Sequence, residues 1–401
     1  MNILYVTPLW SGFKSMIYDG RKSISGMPAF IYPLKALIEK GHRIDFIIAT
    51  PNHQPDLNIG PDWLKNSEFH IVPWKLKGAQ KIASVFRLYL RLKATIRKNS
   101  YDFIYGQGSI GSLGCVMANR YDIPCAQRLY GTFLAAETEQ RHKFLIALKH
   151  PLEYLAFQTP KSFLLITNDG TKGDQVFEKI GAKGKYEFLF WLNGVELDFD
   201  MQHNNEDSEN LSQPYLLFPA RIVRWKQQHI ALDILEHLHK QNIHSYLYYV
   251  GHIGDNDYWS EITSRIKEKK LENFVFNLGV VEKETLMHYM HGSTAVLSTY
   301  QVSNLGNVVL ETLATGSIVV AINDGSLDGI IENGENGILF KTTKEAANNI
   351  AKIIENCGYR NSLREKARKS AASKLMSWEK RTNLEIDYIE NSTRQQNNHQ
   401  A

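Results

Sequence analysis

The stretch Tyr215-Leu-Leu-Phe-Pro-Ala-Arg-Ile-Val-Arg-Trp-Lys226 decides how this chain is read. Its apolar start has the length and composition of a buried strand, and two cations, Arg221 and Lys226, stand where that strand ends. A run with helical spacing follows, from about Gln228 to Lys240. Open α/β sheets bind ligands outside the carboxyl ends of their strands, so the pair is placed to meet an anion. Farther on, Ser303-Asn-Leu-Gly-Asn-Val-Val-Leu-Glu311 supplies a complement. A turn at Gly306 opens a helix whose first N–H groups and dipole attract phosphate. About one turn further in, Glu311 offers an acceptor-only carboxylate suited to a ribose diol. An unpaired carboxylate in so apolar a helix is costly, so Glu311 requires a partner: sugar hydroxyls, or else a cap or salt bridge. Together the two stretches read as a site for a nucleoside diphosphate that carries a further group.

Working outward, short apolar strands alternate with helix-length amphipathic segments, the pattern of parallel sheets covered on both faces. Strands are expected at 2–7, 44–49, 69–73, 102–106, 124–130 and 163–167, with helices at about 27–40, 80–98, 110–121 and 138–157. A second alternation places strands near 215–219, 245–250, 274–278, 294–298 and 317–322. Its helices fall near 228–240, 257–269, 283–291, 306–315 and 345–356. Between the two, residues 198–214 turn polar and read as a linker. The expectation is an α/β chain of two doubly wound domains, 1–197 and 215–372. Residues 373–401 would form an amphipathic helix, Trp378 to Glu390, with a frayed polar tail.

Composition is ordinary for a globular protein: 401 residues, 43% apolar and 22% charged. A net charge of +4 does not imply a nucleic-acid partner. Cys115, Cys125 and Cys357 have no metal-ligand or disulfide-framework spacing and read as reduced thiols. No leader pattern follows Met1 and no apolar run is long enough to span a bilayer, so a cytoplasmic location is expected.

In order along the chain stand Gly41-His42, Asn193-Gly-Val-Glu196, Arg221 with Lys226, Val250-Gly251, Gly279-Val-Val281, Gly306 with Glu311, Gly316-Ser-Ile-Val-Val320 and Asn333-Gly-Glu-Asn-Gly337. This succession resembles glycosyltransferase family 4, retaining nucleotide-sugar enzymes of the GT-B fold, over nearly the whole chain. The resemblance implies two Rossmann-like domains facing a central cleft, and transfer of a sugar from a nucleoside diphosphate to a glycan or lipid-linked acceptor. Surface polysaccharide or glycoconjugate synthesis is the implied setting. It places the base near Gly279, Val280 and Leu286, the ribose on Glu311, and the diphosphate between Arg221, Lys226 and the helix start at Gly306. From the first domain it brings Gly26, in a loop ahead of the first long helix, and Tyr130 to the sugar. Catalysis would then fall to Arg221, Lys226, Glu311 and Tyr130. Two positions depart from the family's pattern, Ser303 where it commonly has Glu and Tyr130 where it has His. Ser303, Asn304, Asn307 and Arg128 offer replacement hydrogen bonds. Alternatives left open are a nucleotide-sugar epimerase, a sugar phosphorylase, or a non-catalytic partner subunit of the same fold.

Three further motifs stand outside this succession. Gly106-Gln-Gly-Ser-Ile-Gly111 matches the dinucleotide fingerprint in form, but the next strand ends in Tyr130-Gly131 where an acidic residue is wanted. Glycines that let a helix approach a sheet are the simpler reading. Asp198-Phe-Asp200 and Asp255-Asn-Asp257 fall in a linker and a loop, so neither a metal site nor a cofactor is expected. Lys75 to Lys98 holds eight cations and no acid. Ile82, Val85, Phe86, Tyr89 and Ile96 are expected to face the core, leaving Arg87, Arg91 and Lys98 to solvent or to peripheral contact with anionic lipid at the inner face of the membrane.

Overall fold

The structure, a computed structural model, describes residues 1–23, 26–51, 56–75, 78–197 and 213–400. The linker expected at 198–214 and the triplet Asp198-Phe-Asp200 fall almost wholly outside the described residues. The chain divides into two compact units, each with its own core. The first holds Met1–Asn168, Lys172–Gly194 and Trp378–Ala401, the second Asp169–Thr171 and Val195–Ser377.

The first unit is built on a parallel sheet in the order β3-β2-β1-β4-β5-β6-β7. Its strands are β1 (Asn2–Pro8), β2 (Arg43–Thr50), β3 (Phe69–Pro73), β4 (Phe103–Gln107), β5 (Cys125–Leu129), β6 (Phe163–Thr167) and β7 (Glu187–Trp191). Helices α1 (Ser11–Ile17) and α2 (Pro28–Glu39) contribute to one apolar cluster. Contributing to two others are α3 (Ala79–Lys98), α4 (Gly111–Arg120), α5 (Ala135–Gln140), α6 (Lys143–Lys149), α7 (Pro151–Gln158) and α8 (Gly173–Ile180). Five consecutive residues are buried in each of β4, β5 and β6, as strands covered on both faces require.

The second unit repeats the plan with the order β10-β9-β8-β11-β12-β13. Its strands are β8 (Tyr215–Pro219), β9 (Tyr246–Val250), β10 (Val275–Asn277), β11 (Ala295–Ser298), β12 (Val319–Ile322) and β13 (Ile338–Phe340). Around them lie α9 (Gln228–His239), α10 (Asn256–Glu268), α11 (Lys283–Gly292), α12 (Asn307–Ala314), α13 (Thr343–Glu355) and α14 (Cys357–Lys374). The last helix, α15 (Trp378–Gln400), belongs to the first unit, where Ile386 and Ile389 enter the core beside α2.

Several expectations need correction. The single helix at 138–157 is three, α5 to α7. His142 caps α6 by accepting from the Phe144 N–H, and Pro151, which cannot donate inside a helix, starts α7. Strand β7, strand β13 and helices α1, α8 and α14 were not anticipated, and α15 continues past Glu390 to Gln400. The orientation of α3 also differs. Ser84, Leu88, Leu92 and Ile96 are buried, whereas Ile82 and Phe86 are exposed. At about 100° per residue, side chains two positions apart point nearly opposite ways, and the helix has turned the Leu88 and Leu92 stripe inward.

Candidate functional site

In the second unit β8 pairs with β9 and β11, which sets three strand carboxyl ends side by side. Arg221 lies just past β8. Its carbonyl accepts from Gln228 Nε2 at 2.9 Å, and its stem lies so close to Gly254 that a Cβ there would come within 2.9 Å of Arg221 Cδ. Lys226 ends a short 3-10 turn, and the chain reverses at Gln227 (φ 56°) to start α9. The Lys226 ammonium sits 3.1 Å from the ring centroid of Tyr300 and 4.1 Å from that of Trp225. The loops after β8 and β11 are joined at this point. Thr299 Oγ1 lies within hydrogen-bonding distance of the Lys226 and Gln227 carbonyls (3.3 and 3.1 Å), and the Gln301 N–H donates to the Trp225 carbonyl at 3.0 Å. Burial, and then the charge of Arg221, lower the Lys226 pKa to about 7. An arriving anion favours the charged form of such a lysine.

Glu311 is buried on α12 and already has a partner, Lys283 of α11, at 2.5 Å. Burial pushes its carboxyl up, Lys283 pulls it down, and nearby Glu196 adds to the rise. Of the two partners left open by sequence, the structure shows the salt bridge. A carboxylate has about four acceptor directions, so one ammonium does not exhaust it. Burial holds the hydroxyl of Tyr300, the ring under Lys226, well above its ordinary pKa, and the charge of Glu311 adds to the rise.

The remaining second-unit candidates differ in how they are held. Gly279 has φ +69°, a conformation that favours glycine, and its carbonyl accepts from the Gly251 N–H at 2.7 Å. Val280 beside it is 72% exposed, and Leu286 joins an apolar cluster with Val308. Gly306 caps α12 in extended backbone, and a Cβ there would meet nothing within 4 Å. Packing therefore does not demand this glycine, which leaves open space at the helix start. Asn307 opens the helix.

Ser303 and Asn304 are both occupied by neighbouring groups, some of them far along the chain. Ser303 donates to the Asp169 carbonyl at 2.5 Å, and its oxygen accepts from the Leu305 N–H at 3.2 Å. Buried Asn304 accepts from Ser298 and the Tyr300 N–H and donates to Asp324 and the Tyr300 carbonyl.

In the first unit Gly26 has φ +87° and lies against α1, where a Cβ would sit 2.9 Å from the backbone of Gly12. Tyr130, just past β5, donates its hydroxyl to Gln107 Oε1 at 2.6 Å. Its ring meets Trp10 edge-on at 5.1 Å and the Arg128 guanidinium at 5.0 Å. Arg128 is buried and paired with Glu385 of α15, which also accepts from Tyr105 (2.8 Å) and Arg381 (3.1 Å). The glycines of the fingerprint-like stretch have a packing reason, since a Cβ on Gly106 would lie 2.4 Å from the Gly111 carbonyl oxygen. Asp255 is the N-cap of α10, accepting from the Tyr258 N–H at 2.9 Å.

Sequence reasoning missed Trp225, Tyr300, Lys283 and Glu385. The first two had a signal, because each lies within six residues of the carboxyl end of an expected strand. Lys283 and Glu385 had none, being brought to Glu311 and Arg128 by tertiary folding alone.

Residues 200–370 match the family model described as glycosyl transferases group 1. Alpha-monoglucosyldiacylglycerol synthase of Acholeplasma laidlawii is 22% identical over 364 residues, 83% of this chain and 85% of that protein. Among solved structures, Anabaena Alr3699/HepE in complex with UDP and glucose superposes with a TM-score of 0.70 at 19% identity, covering 98% of this chain and all of that one. Sucrose-phosphate synthase from Thermosynechococcus elongatus gives 0.69 at 16% identity, covering 97% and 98%. With the group 1 domain on the second unit and two parallel-sheet Rossmann-like units shared with such structures, the chain is a glycosyltransferase of the GT-B fold.

Proposed function

We propose that this glycosyltransferase transfers a sugar, with retention of anomeric configuration, from a nucleoside diphosphate to a glycan or lipid-linked acceptor in surface polysaccharide or glycoconjugate synthesis. The observation that carries the reading is the meeting, just past β8 in the second unit, of Arg221 with a desolvated Lys226 seated on the Tyr300 ring. In this reading the diphosphate takes Arg221, Lys226 and the start of α12, the ribose takes Glu311, and the base lies by Gly279, Val280 and Leu286. Gly26 and Tyr130 serve the sugar. Because the Ser303 and Asn304 side chains are internally engaged, main-chain groups are the better candidates for sugar contacts in that turn. The acceptor hydroxyl attacks on the face the diphosphate leaves, and a leaving phosphate oxygen takes its proton. Arg221, Lys226 and the helix start stabilise the developing charge without a metal ion.

Support for the donor class comes from HepE, a structural neighbour solved with UDP and glucose. Support for a lipid-linked acceptor comes from the glucosyl-lipid synthase and from the cations between Lys75 and Lys98. That stretch is the proposed point of contact with an anionic membrane.

The test is a thermal-shift screen of nucleoside diphosphates and their sugars, since a ligand bound only by the native state raises its stability. The donor found is then followed by NMR during transfer or slow hydrolysis. An inverted product anomer rejects retention, and absence of any shift rejects the donor site.

A further inference from the structure

We infer that Lys283 is a positioning residue for donor binding: through its ion pair it holds Glu311 in place as the ionised, two-oxygen acceptor that a ribose diol needs. The inference rests on the proposed placement of the ribose at Glu311. It adds a residue that acts through Glu311 rather than on the ligand.

Lys283 is the first residue of α11, Glu311 lies in the second turn of α12, and the two helices pack against each other. Leu286 of α11 and Val308 of α12 share one apolar cluster, so packing sets the reach from Lys283 to Glu311. The ammonium lies 2.5 Å from Glu311 Oε1. The two side chains are unequally placed, with Lys283 49% exposed and Glu311 11%. A lysine thus reaches in from solvent to a carboxylate that its own helix has buried. One ammonium on one oxygen leaves acceptor directions on both oxygens for the hydroxyls of a diol.

The surrounding groups make that lysine necessary. Burial favours the neutral carboxyl, Glu196 opposes a second negative charge beside it, and Lys283 offsets both. The Tyr300 hydroxyl is held neutral by burial. Helix α14 also packs on α12, but its cations stand at the far end, where Arg364 donates to the His291 and Ser293 carbonyls and Arg368 lies against Gly316. Strands β11 and β12, packed on the same helix, carry no titratable side chain. Without Lys283, burial and Glu196 act together, and Glu311 keeps its proton to higher pH. A protonated carboxyl turns one oxygen into a donor and loses half of the acceptor that a diol requires.

Affinity is measured by calorimetry at about pH 5.5 and about pH 8 for the parent, Lys283→Met, Lys283→Arg and Glu311→Gln. The probes are the tightest of ADP, CDP, GDP and UDP, and inorganic pyrophosphate. Lys226 and the phosphates titrate alike in parent and Lys283 variants, so the ratio of affinities isolates Glu311. Lys283→Met should weaken the nucleotide about tenfold at the acid pH and about threefold or less at the alkaline one, tenfold being what a carboxyl shift of about one pH unit produces. Lys283→Arg should restore most of the loss. Pyrophosphate, which has no ribose, should bind every variant as it binds the parent, which also shows that each is folded. The inference falls if Lys283→Met matches the parent at both pH values while Glu311→Gln binds weakly. It falls equally if Lys283→Met binds the nucleotide more tightly, which makes Lys283 a competitor of the ribose, or if pyrophosphate weakens as much, which puts Lys283 on the phosphates. Glu311→Gln binding like the parent, or a parent that binds none of the four nucleotides, overturns the ribose placement itself and this role with it.

Discussion

Ser303, which stands where the resembled family commonly has glutamate, donates its hydroxyl to the main-chain carbonyl of Asp169 at 2.5 Å. Gly170 follows with φ +77°, so close that a Cβ on it would come within 2.4 Å of Ser303 Oγ and 2.6 Å of Ser326 Cβ. The Ser303 hydroxyl is thus packed against the Gly170 turn. Ser303→Glu is therefore expected to destabilise the fold by about 1–3 kcal/mol through overpacking. Ser303→Ala should cost about 1 kcal/mol by unpairing the Leu305 N–H and the Asp169 carbonyl. Both are read by thermal unfolding, and nucleoside-diphosphate affinity should stay unchanged in Ser303→Ala. A loss of affinity there without loss of stability would return Ser303 to the ligand.

Lys226 gives the donor site a pH signature. Its pKa in the fold is about 7, below the ordinary lysine value, so it is charged at acid pH and largely neutral well above 7. A bound diphosphate favours the ammonium. Binding should take up no proton at about pH 6 and close to one at about pH 8.5, with affinity falling as pH rises through the neutral range. Calorimetry in buffers of different ionisation enthalpy measures the uptake directly. In the free protein the same shift destabilises the charged form, so Lys226→Met should raise stability below about pH 7 and the gain should shrink at higher pH.

Diphosphate binding should not require a divalent cation. Arg221 and Lys226 offer two positive charges, and Asp255 is committed as a helix cap. Affinity measured with magnesium and then with excess chelator should agree within about threefold, and a loss beyond about tenfold would overturn the cation-and-helix site.

Glu311 and Tyr130 should separate binding from turnover. Glu311→Ala removes the proposed ribose acceptor and strands Lys283, so donor binding should weaken by about 1.5–3 kcal/mol. Tyr130→Phe loses only the bond to Gln107 Oε1. It should spare affinity for the bare diphosphate while reducing turnover or changing the sugar accepted. Full activity in Glu311→Ala would reject its assigned place.

Both sheets were legible because buried parallel strands are short apolar runs, and β8 with Arg221 and Lys226 could be read with nothing else in view. The failures have physical causes. Strand β7 (Glu-Phe-Leu-Phe-Trp) is at the sheet edge and only partly buried, so its pattern is weak. Three short helices looked like one because α5 to α7 share a continuous helical composition, broken by a cap at His142 and a proline at 151. On α3 apolar residues occupy both faces, and periodicity alone could not tell the core stripe from the exposed one. Glu311 was read as needing a partner, but the identity of that partner, Lys283, belongs to tertiary structure.

The Arg128–Glu385–Arg381 cluster makes the final helix part of the first unit's core rather than an appendage. All three side chains are buried, and Glu385 is the carboxylate that pairs both guanidinium groups. Burial, and next the charge of Arg128, lower the Arg381 pKa to about 10, a sign of like charges held close. Glu385→Ala leaves two buried cations uncompensated and should destabilise the unit by about 3–5 kcal/mol. Glu385→Gln keeps the shape and one acceptor but loses the charge, so it should fall between parent and alanine. Replacing the charged groups together, Arg128→Met with Glu385→Met and Arg381→Met, removes the buried charges and should recover much of the loss. Thermal unfolding of the four proteins decides the matter. A Glu385→Ala variant as stable as the parent would show that the buried charges find other partners and that packing of Ile386 and Ile389 alone holds α15 in place.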